Sequence, residues 1–325
     1  MTRVLVLGGT GHIGSAIARQ FDAEGCAVRA AGRSATPREN LQGTGITQLA
    51  GDDTDPQTVA AWLAETDLVV DAATPYPIWL HGAGSRDAVA SATARMRAVL
   101  EATHRAGAAF IHISSFTTLP ASGGVQDRIR LATVRGLHPY FEVKQAVERQ
   151  VLAALSQGLK GAVLNPAACF GPCDLKPVEQ AYIPMLLAGK VAGTVAHPVN
   201  VVDVRDVAAC ASAVLARGFP VRQVPVTGHN IRVDALTRQI CALGGIAPPR
   251  LRAPLLLAMS GAYWAETAYA LMGRDGPWPS LPILLTAAGR AMPISAEQAA
   301  LGIRPRPLDQ TLSDALDWYR RIGRC

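Results

Sequence analysis

The sequence has little lysine and few aromatic residues. Only four of its 325 residues are lysine (Lys144, Lys160, Lys176 and Lys190), and aromatic residues make up 5%. No basic run is interleaved with aromatic residues, so we expect no nucleic-acid partner. The formal net charge of +6 instead favours an anionic small molecule, such as a nucleotide phosphate.

Cysteine is also scarce, with six residues in the chain. Cys169 and Cys173 lie four positions apart, but no second pair of Cys or His accompanies them, so we expect buried structural thiols and no metal site. The N-terminus enters an apolar strand without a signal segment, which predicts a cytoplasmic protein. The most apolar window, 253–272, contains Glu266 and predicts a buried or amphipathic helix, not a membrane span.

The first half of the chain alternates short apolar runs with helical periodicity. This order predicts an α/β fold, a Rossmann-type doubly wound parallel sheet, with ligands beyond the carboxyl ends of the strands. Strands are predicted at 3–7, 27–31, 68–73, 109–114 and 161–165, and helices at 13–24, 57–65, 86–106 and 140–157.

The pattern loosens after Asn165, where proline and glycine become frequent. Helices are still predicted at 206–217, 234–243 and 308–322. We therefore expect a dinucleotide-binding domain at 1–165, completed by about 194–217. The remaining segments, 166–193 and 218–325, are expected to form a smaller, mostly helical, substrate-binding lobe.

A glycine-rich turn follows the first predicted strand. Gly8, Gly11 and Gly14 are spaced three apart and open the first helix. The first glycine permits a tight turn, the second lets the backbone approach a pyrophosphate, and the third lets helix and strand pack closely. The alternative is a purely structural turn, but its position between a strand and a helix favours a dinucleotide site.

The end of the second strand indicates which dinucleotide is bound. NAD-selective sites place a carboxylate there, whereas this sequence has Ala31 followed by Arg33 and Ser34. Since arginine can clamp a 2′-phosphate, we expect NADP(H), unless Arg33 is an ordinary surface residue. Asp52 is a candidate for binding the adenine amino group, or else a plain turn residue.

A tyrosine and a lysine lie four positions apart, at Tyr140 and Lys144, on one face of a predicted helix. An ammonium near a phenol stabilises the phenolate and suits tyrosine for proton transfer. The strand at 109–114 ends in Ser114 and Ser115, whose hydroxyls could hold a reacting oxygen. Taken singly, the tyrosine would be core and the lysine solvated; together with the glycine turn they indicate an active site.

These motifs resemble the extended short-chain dehydrogenase/reductase superfamily of the epimerase/dehydratase type, and within it the dihydroflavonol-reductase-like branch. The resemblance covers nearly the whole chain and implies Ser115, Tyr140 and Lys144 as the catalytic triad. One departure is Leu164-Asn165-Pro166, where the family usually has Leu-Arg-Pro. The matching segments are the turn at 8–14, Gly51-Asp52, Ala72-Ala73, Ser115, Tyr140 with Lys144, 165–166, 170–172, 201–208 and 301–307.

The turn, the strand ends and the resemblance together predict the cofactor site. Its expected members are Gly8, Thr10, Gly11, His12, Ile13, Gly14, Arg33, Ser34, Asp52, Asp53, Ala72, Ala73, Thr74, Tyr140, Lys144, Pro166 and Ala168. No metal ligands are predicted.

We therefore expect an NADPH-dependent oxidoreductase that interconverts a ketone or aldehyde and an alcohol on a fairly hydrophobic small molecule. One alternative is a nucleotide-sugar epimerase or dehydratase; another is a non-catalytic NADP-binding protein. The resemblance also makes a homodimer built on the long helices a fair expectation. The hydrophobic substrate is suggested by apolar residues that could equally be core: Leu255, Leu256, Leu257, Met259, Tyr263, Trp264, Trp278, Leu284 and Leu285.

Overall fold

The computed structural model describes residues 1–34, 36, 38–75, 77–81, 85–121, 123–177, 181–274 and 279–324. The strands are β1 (Arg3–Leu7), β2 (Ala27–Gly32), β3 (Thr47–Ala50), β4 (Leu68–Asp71), β5 (Ala109–Ile113), β6 (Gly161–Pro166), β7 (Ala168–Phe170), β8 (Gly193–Val195), β9 (Pro198–Asp203), β10 (Gln223–Val226), β11 (His229–Arg232) and β12 (Leu251–Ala253). The α-helices are α1 (His12–Ala23), α2 (Pro56–Leu63), α3 (Ala88–Ala106), α4 (Val125–Gly136), α5 (Pro139–Ser156), α6 (Tyr182–Leu187), α7 (Val204–Ala216), α8 (Val233–Gly244), α9 (Leu255–Leu271), α10 (Leu281–Ala288), α11 (Ala296–Ala300) and α12 (Leu308–Arg321).

A seven-stranded parallel sheet forms the centre of the molecule, in the order β3-β2-β1-β4-β5-β6-β10. Helices α1 and α7 cover one face, and α2, α3 and α5 cover the other. Because both faces are covered, β1 can be apolar throughout, and Val4, Leu5, Val6 and Leu7 are all buried. The strand order reverses between β1 and β4, which confirms the Rossmann-type fold predicted from the sequence.

The seventh strand corrects one predicted boundary. β10 lies within 218–325, the range assigned to the lobe, but it pairs with β6 in the main sheet. The segment contains Pro225, which lacks an N–H and so weakens the strand signal in the sequence. Because β10 is an edge strand, that missing donor is tolerated.

The residues after β6 contain more strand than the sequence suggested. A three-stranded sheet has the order β11-β9-β7, and a two-stranded sheet joins β12 to β8. The C-terminal helix α12 packs on this part of the chain and buries Leu312, Leu316 and Trp318. Helices still make up most of the regular secondary structure described here.

Helix α9 differs from its prediction. The apolar window was expected to be buried or amphipathic, but only Met259 and Glu266 of this helix are buried. Leu256 is 74% exposed and Trp264 65% exposed. Apolar residues surround the helix on all sides, and only one side packs on the protein. Among the described residues, no helix is long and apolar enough to cross a membrane. Trp278, one of the apolar residues named from the sequence, lies outside those residues.

Candidate active site

The glycine turn is packed so tightly that side chains do not fit. A Cβ on Gly14 would lie 2.1 Å from the Gly8 carbonyl oxygen. A Cβ on Gly8, whose φ is +70°, would lie 2.8 Å from the carbonyl oxygen of Ala72. The turn therefore lies directly on the carboxyl end of β4, next to Ala72 and Ala73, as the predicted cofactor site requires. Gly9, which the prediction omitted, is equally constrained, since its Cβ would lie 2.6 Å from that of Ala30.

The first turn of α1 has no side-chain cap. Gly11 is the N-cap residue, and the first helical hydrogen bond runs from Ser15 N to Gly11 O at 2.8 Å. The amides before Ser15 can therefore face an anion. Thr74, at the neighbouring strand end, has a buried hydroxyl with no partner among the described residues. The helix start without a side-chain cap, the tightly packed glycines and the unpartnered hydroxyl of Thr74 together fit a dinucleotide.

The carboxyl end of β2 carries a cation and not a carboxylate. Arg33 follows the strand directly and is exposed. A Cβ on Gly32 would lie 2.6 Å from Thr10 Oγ1, so the turn residue Thr10 covers this strand end. Hydrogen bonds from Thr54, and to a lesser degree the charge of Arg33, lower the pKa of Asp52. Arg33 and Asp52 thus lie near one another, at the ends of β2 and β3.

A buried ionic network lies behind this edge and was not predicted. Arg95 of α3 donates to Asp53 Oδ2 at 2.9 and 2.7 Å and to Asp71 Oδ1 at 2.7 Å. His112 Nδ1 lies 3.0 Å from the second oxygen of Asp71. Burial alone would raise the pKa of Asp71, but Arg95 and His112 together hold it well below its usual value. Since Asp53 already has Arg95 as a partner, its predicted role in cofactor binding stays a prediction.

Two of the three predicted catalytic side chains are in direct contact. The Tyr140 hydroxyl donates to Ser115 Oγ at 3.4 Å, and both residues are 7% exposed. Ser115 follows the end of β5, and Tyr140 lies in the first turn of α5. His138 fixes that turn, because its Nδ1 accepts from Tyr140 N at 3.1 Å as the helix cap. Pro139 at the first helical position reinforces the helix start.

Lys144 lies one helical turn beyond Tyr140 and is also 7% exposed. Burial lowers its pKa to about 8, while the carboxylates of Asp71 and Glu148 act in the opposite direction. The ammonium form therefore persists at neutral pH but titrates far below an ordinary lysine. The structure brings this cation to the same helix face as Tyr140.

Glu148 organises the other side of the site. Its Oε2 accepts from Ser114 Oγ at 2.5 Å, Thr118 Oγ1 at 2.7 Å and Asn165 Nδ2 at 2.6 Å. Asn165 occupies the place of the family's usual arginine, and here it links Glu148 to the loop after β5. The sequence reasoning missed Glu148, although its position one turn after Lys144 was a usable signal.

His12 lies at the junction of α1 with the second half of the chain. It is buried, and its Nδ1 lies 3.9 Å from Asp174 Oδ2. Burial lowers its pKa more than Asp174 raises it. A cavity of about 160 Å³ next to it is lined also by Lys176 and Tyr319. The predicted role of His12 in cofactor binding stays a prediction.

The remaining predicted residues take ordinary positions. Pro166 ends β6 and Ala168 begins β7, at the same sheet edge as the turn. Ser34 Oγ accepts from Thr36 N at 3.2 Å. Ile13 packs against the main core.

The cysteines are free thiols wherever the structure describes them. Cys210 and Cys241 are buried, whereas Cys169 and Cys173 are only partly buried, which corrects the expectation for that pair. Cys325 lies outside the described residues. No group of three or more potential metal ligands occurs in the described part of the chain.

Comparison with known proteins identifies the family. The model of the NAD dependent epimerase/dehydratase family matches residues 4–225. The chain therefore belongs to this family of nicotinamide-dependent enzymes, which includes both oxidoreductases and epimerases. The match spans the glycine turn, the serine pair, Tyr140 and Lys144.

Relatives carry both kinds of name. A protein from Synechocystis sp. named as a dihydroflavonol 4-reductase is 26% identical, over 98% of this chain and 94% of its own length. A 2-alkyl-3-oxoalkanoate reductase from Stenotrophomonas maltophilia is 30% identical over 55% of this chain and 54% of its own length. The structure of a UDP-glucose 4-epimerase from Thermus thermophilus in complex with NAD has a TM-score of 0.70 and 20% identity, covering 98% and 99% of the two chains. At that identity the last likeness shows the fold alone.

Proposed function

We propose that this protein is an NADPH-dependent oxidoreductase that interconverts a ketone or aldehyde and the corresponding alcohol. The observation that carries the proposal is the contact between Tyr140 and Ser115 beside the buried Lys144. Ser115 follows β5 at the sheet edge that the glycine turn also occupies, and Tyr140 and Lys144 lie one turn apart on α5. The reductase names of two relatives support the same reaction class.

The cofactor would be held by the turn and the strand ends. The uncapped amides of α1 would bind the pyrophosphate, and Arg33 with Ser34 would bind the 2′-phosphate of NADP(H). Lys144 would bind the nicotinamide ribose. When bound, the cofactor supplies the hydride.

Tyr140 acts as the proton donor in the direction of reduction. Its hydroxyl passes a proton to the carbonyl oxygen, which would otherwise carry a developing negative charge. Ser115 donates a hydrogen bond to the same oxygen and holds it in place. The ammonium of Lys144 stabilises the phenolate that remains on Tyr140. In the direction of oxidation, the phenolate takes the proton back from the alcohol.

A fairly hydrophobic substrate fits the surroundings of Tyr140. The tyrosine belongs to an apolar cluster that also contains Phe116, Met259 and Leu284. The apolar side chains of this cluster favour a substrate with an apolar body, and the nearby cations Arg135 and Arg290 are bonded to carbonyl oxygens of the loop after β5. A homodimer through the long helices, and the division into a cofactor domain and a substrate lobe, stay predictions.

The runner-up is an epimerase or dehydratase acting on a nucleotide sugar, because the matched family contains such enzymes and the fold is shared with a UDP-glucose 4-epimerase. An epimerase oxidises and reduces the same substrate in turn and consumes no NADPH. Net NADPH consumption with a panel of ketones and aldehydes therefore separates the two reactions.

The cofactor assignment has its own test. We expect a lower KM for NADPH than for NADH, and Arg33→Ala should raise the KM for NADPH by about tenfold or more, because a charge-assisted pair is lost. The KM for NADH should change little in the same variant. A wild-type preference for NADH would overturn the NADP assignment.

A further inference from the structure

Exposed large hydrophobic residues of the described chain are concentrated on and beside α9. Six of the eleven large hydrophobic residues that are exposed in the described structure fall within 251–272. Five exposed residues of α9, one on each successive turn, form what we call the α9 face. They are Leu257, Gly261, Trp264, Ala268 and Leu271.

The helix is fixed on its opposite side. Glu266 is buried and accepts from Leu80 N at 2.5 Å and Ser280 N at 2.7 Å. Met259 is buried in the apolar cluster around Tyr140. The helix is therefore already docked, and the α9 face points outward in the folded protein.

The charge beside this helix is mainly positive, because Asp234, the buried acid that lies 4.0 Å from Arg252, is also paired with Arg232 and Arg238. Arg250 and Arg252 precede it and Arg274 follows it, and all three are exposed. The single acid between them, Glu266, is the buried anchor. Asp275 lies outside the described residues. An apolar face with a tryptophan at its centre and arginines at both ends is the pattern of a helix that lies in a lipid interface.

A second copy of the chain fits this surface less well. Two α9 faces packed against each other would bring arginines onto arginines, whether the helices ran parallel or antiparallel. The face is also small. A helix of 17 residues rises about 25 Å and is about 10 Å wide. That gives roughly 250 Å² per partner, well below the about 800 Å² of a standard interface.

We propose that α9 docks the protein on an anionic lipid surface, with the α9 face buried among the acyl chains and the flanking arginines on the headgroups. The helix lies on the membrane and does not cross it, consistent with the absence of a spanning helix in the described chain. This binding does not depend on the proposed enzymatic reaction.

The test is sedimentation of the full-length protein with vesicles. We expect binding to mixed phosphatidylcholine and phosphatidylglycerol vesicles, weaker binding to phosphatidylcholine alone, and loss of binding as salt is raised. The double variant Trp264→Asp/Leu271→Asp should lower the partition coefficient at least about tenfold. Replacing Arg250, Arg252 and Arg274 by Gln should lower it about a hundredfold, since each arginine contributes about fivefold.

Ile294→Asp is the matched control, because Ile294 is 49% exposed and lies outside α9; it should bind vesicles like the wild type. Circular dichroism and NADPH titration verify that each variant is folded. The proposal is overturned if the wild type does not bind anionic vesicles. It is also overturned if the wild type self-associates and the Trp264→Asp/Leu271→Asp variant is monomeric, because the face then binds a second copy.

Discussion

The hydroxyl of Ser114 donates to Glu148 Oε2 across 2.5 Å and links the end of β5 to the helix that carries Lys144. The adjacent Ser115 instead accepts from Tyr140. Two neighbouring serines thus bond to different residues of α5: Ser114 bonds to Glu148, and Ser115 bonds to Tyr140, which we propose as the proton donor.

Substitution of the two serines separates these roles. Ser115→Ala should lower kcat about a hundredfold or more, because one donor to the reacting oxygen is lost. Ser114→Ala should keep most of kcat but lower the free energy of unfolding by about 1–3 kcal/mol, because Glu148 loses a buried partner. Steady-state kinetics and urea unfolding measure the two effects. Equal loss of kcat in both variants would contradict the assignment.

Burial of Lys144 predicts an unusual dependence of stability on pH. Its pKa is about 8 when folded and near 10.5 when unfolded, so the unfolded chain binds more protons between these values. The contribution of Lys144 to the free energy of unfolding therefore rises with pH from about 8 to about 10. Burying the charged form costs about 3 kcal/mol at pH 7.

We expect Lys144→Met to have a higher free energy of unfolding than the wild type. The difference, or margin, should be largest near pH 7. The margin should shrink as the pH rises through about 8 to 10. Denaturant unfolding at several pH values measures this margin. Lys160→Met, which removes an exposed lysine, is the control for the loss of one lysine charge. A margin that stays constant with pH would contradict the buried, charged state of Lys144.

The glycine turn predicts a steric effect. Gly14→Ala places a Cβ 2.1 Å from Gly8 O and should lower the free energy of unfolding by at least about 2 kcal/mol, with loss of NADPH binding. Gly136→Ala, in helix α4 with nothing within 4 Å of its Cβ, should stabilise slightly, by about 0.5–1 kcal/mol. Calorimetry and fluorescence titration of NADPH test the pair. Full NADPH binding by Gly14→Ala would rule out the close approach.

Local spacing explains what the sequence made predictable. The glycine turn lies within seven residues, and Tyr140 and Lys144 lie within one helical turn, so short-range geometry places them. The contact of Arg95 with Asp71 joins residues 24 positions apart, and the contact of Ser114 with Glu148 joins residues 34 apart. Such pairs depend on how the elements pack, which no local pattern encodes.

Two other differences have equally specific causes. Pro225 hides β10 in the sequence, because a proline argues against a central strand. The same proline is tolerated at the edge of a sheet, which is where β10 lies. Helix α9 was identified from its apolar composition, but composition does not show how much of a helix surface the protein covers. Its exposure emerged only from the packing of Met259 and Glu266 on one side.

The most direct test of the proposed function is single-turnover reduction of a carbonyl substrate by the Tyr140→Phe variant. The substrate is one that the wild type accepts, and the reaction is monitored by the absorbance of NADPH. We expect NADPH oxidation to fall by about a hundredfold or more, because the proton donor is missing, while the Kd for NADPH stays within about threefold of the wild type. Oxidation of NADPH at the wild-type rate would show that Tyr140 does not supply the proton.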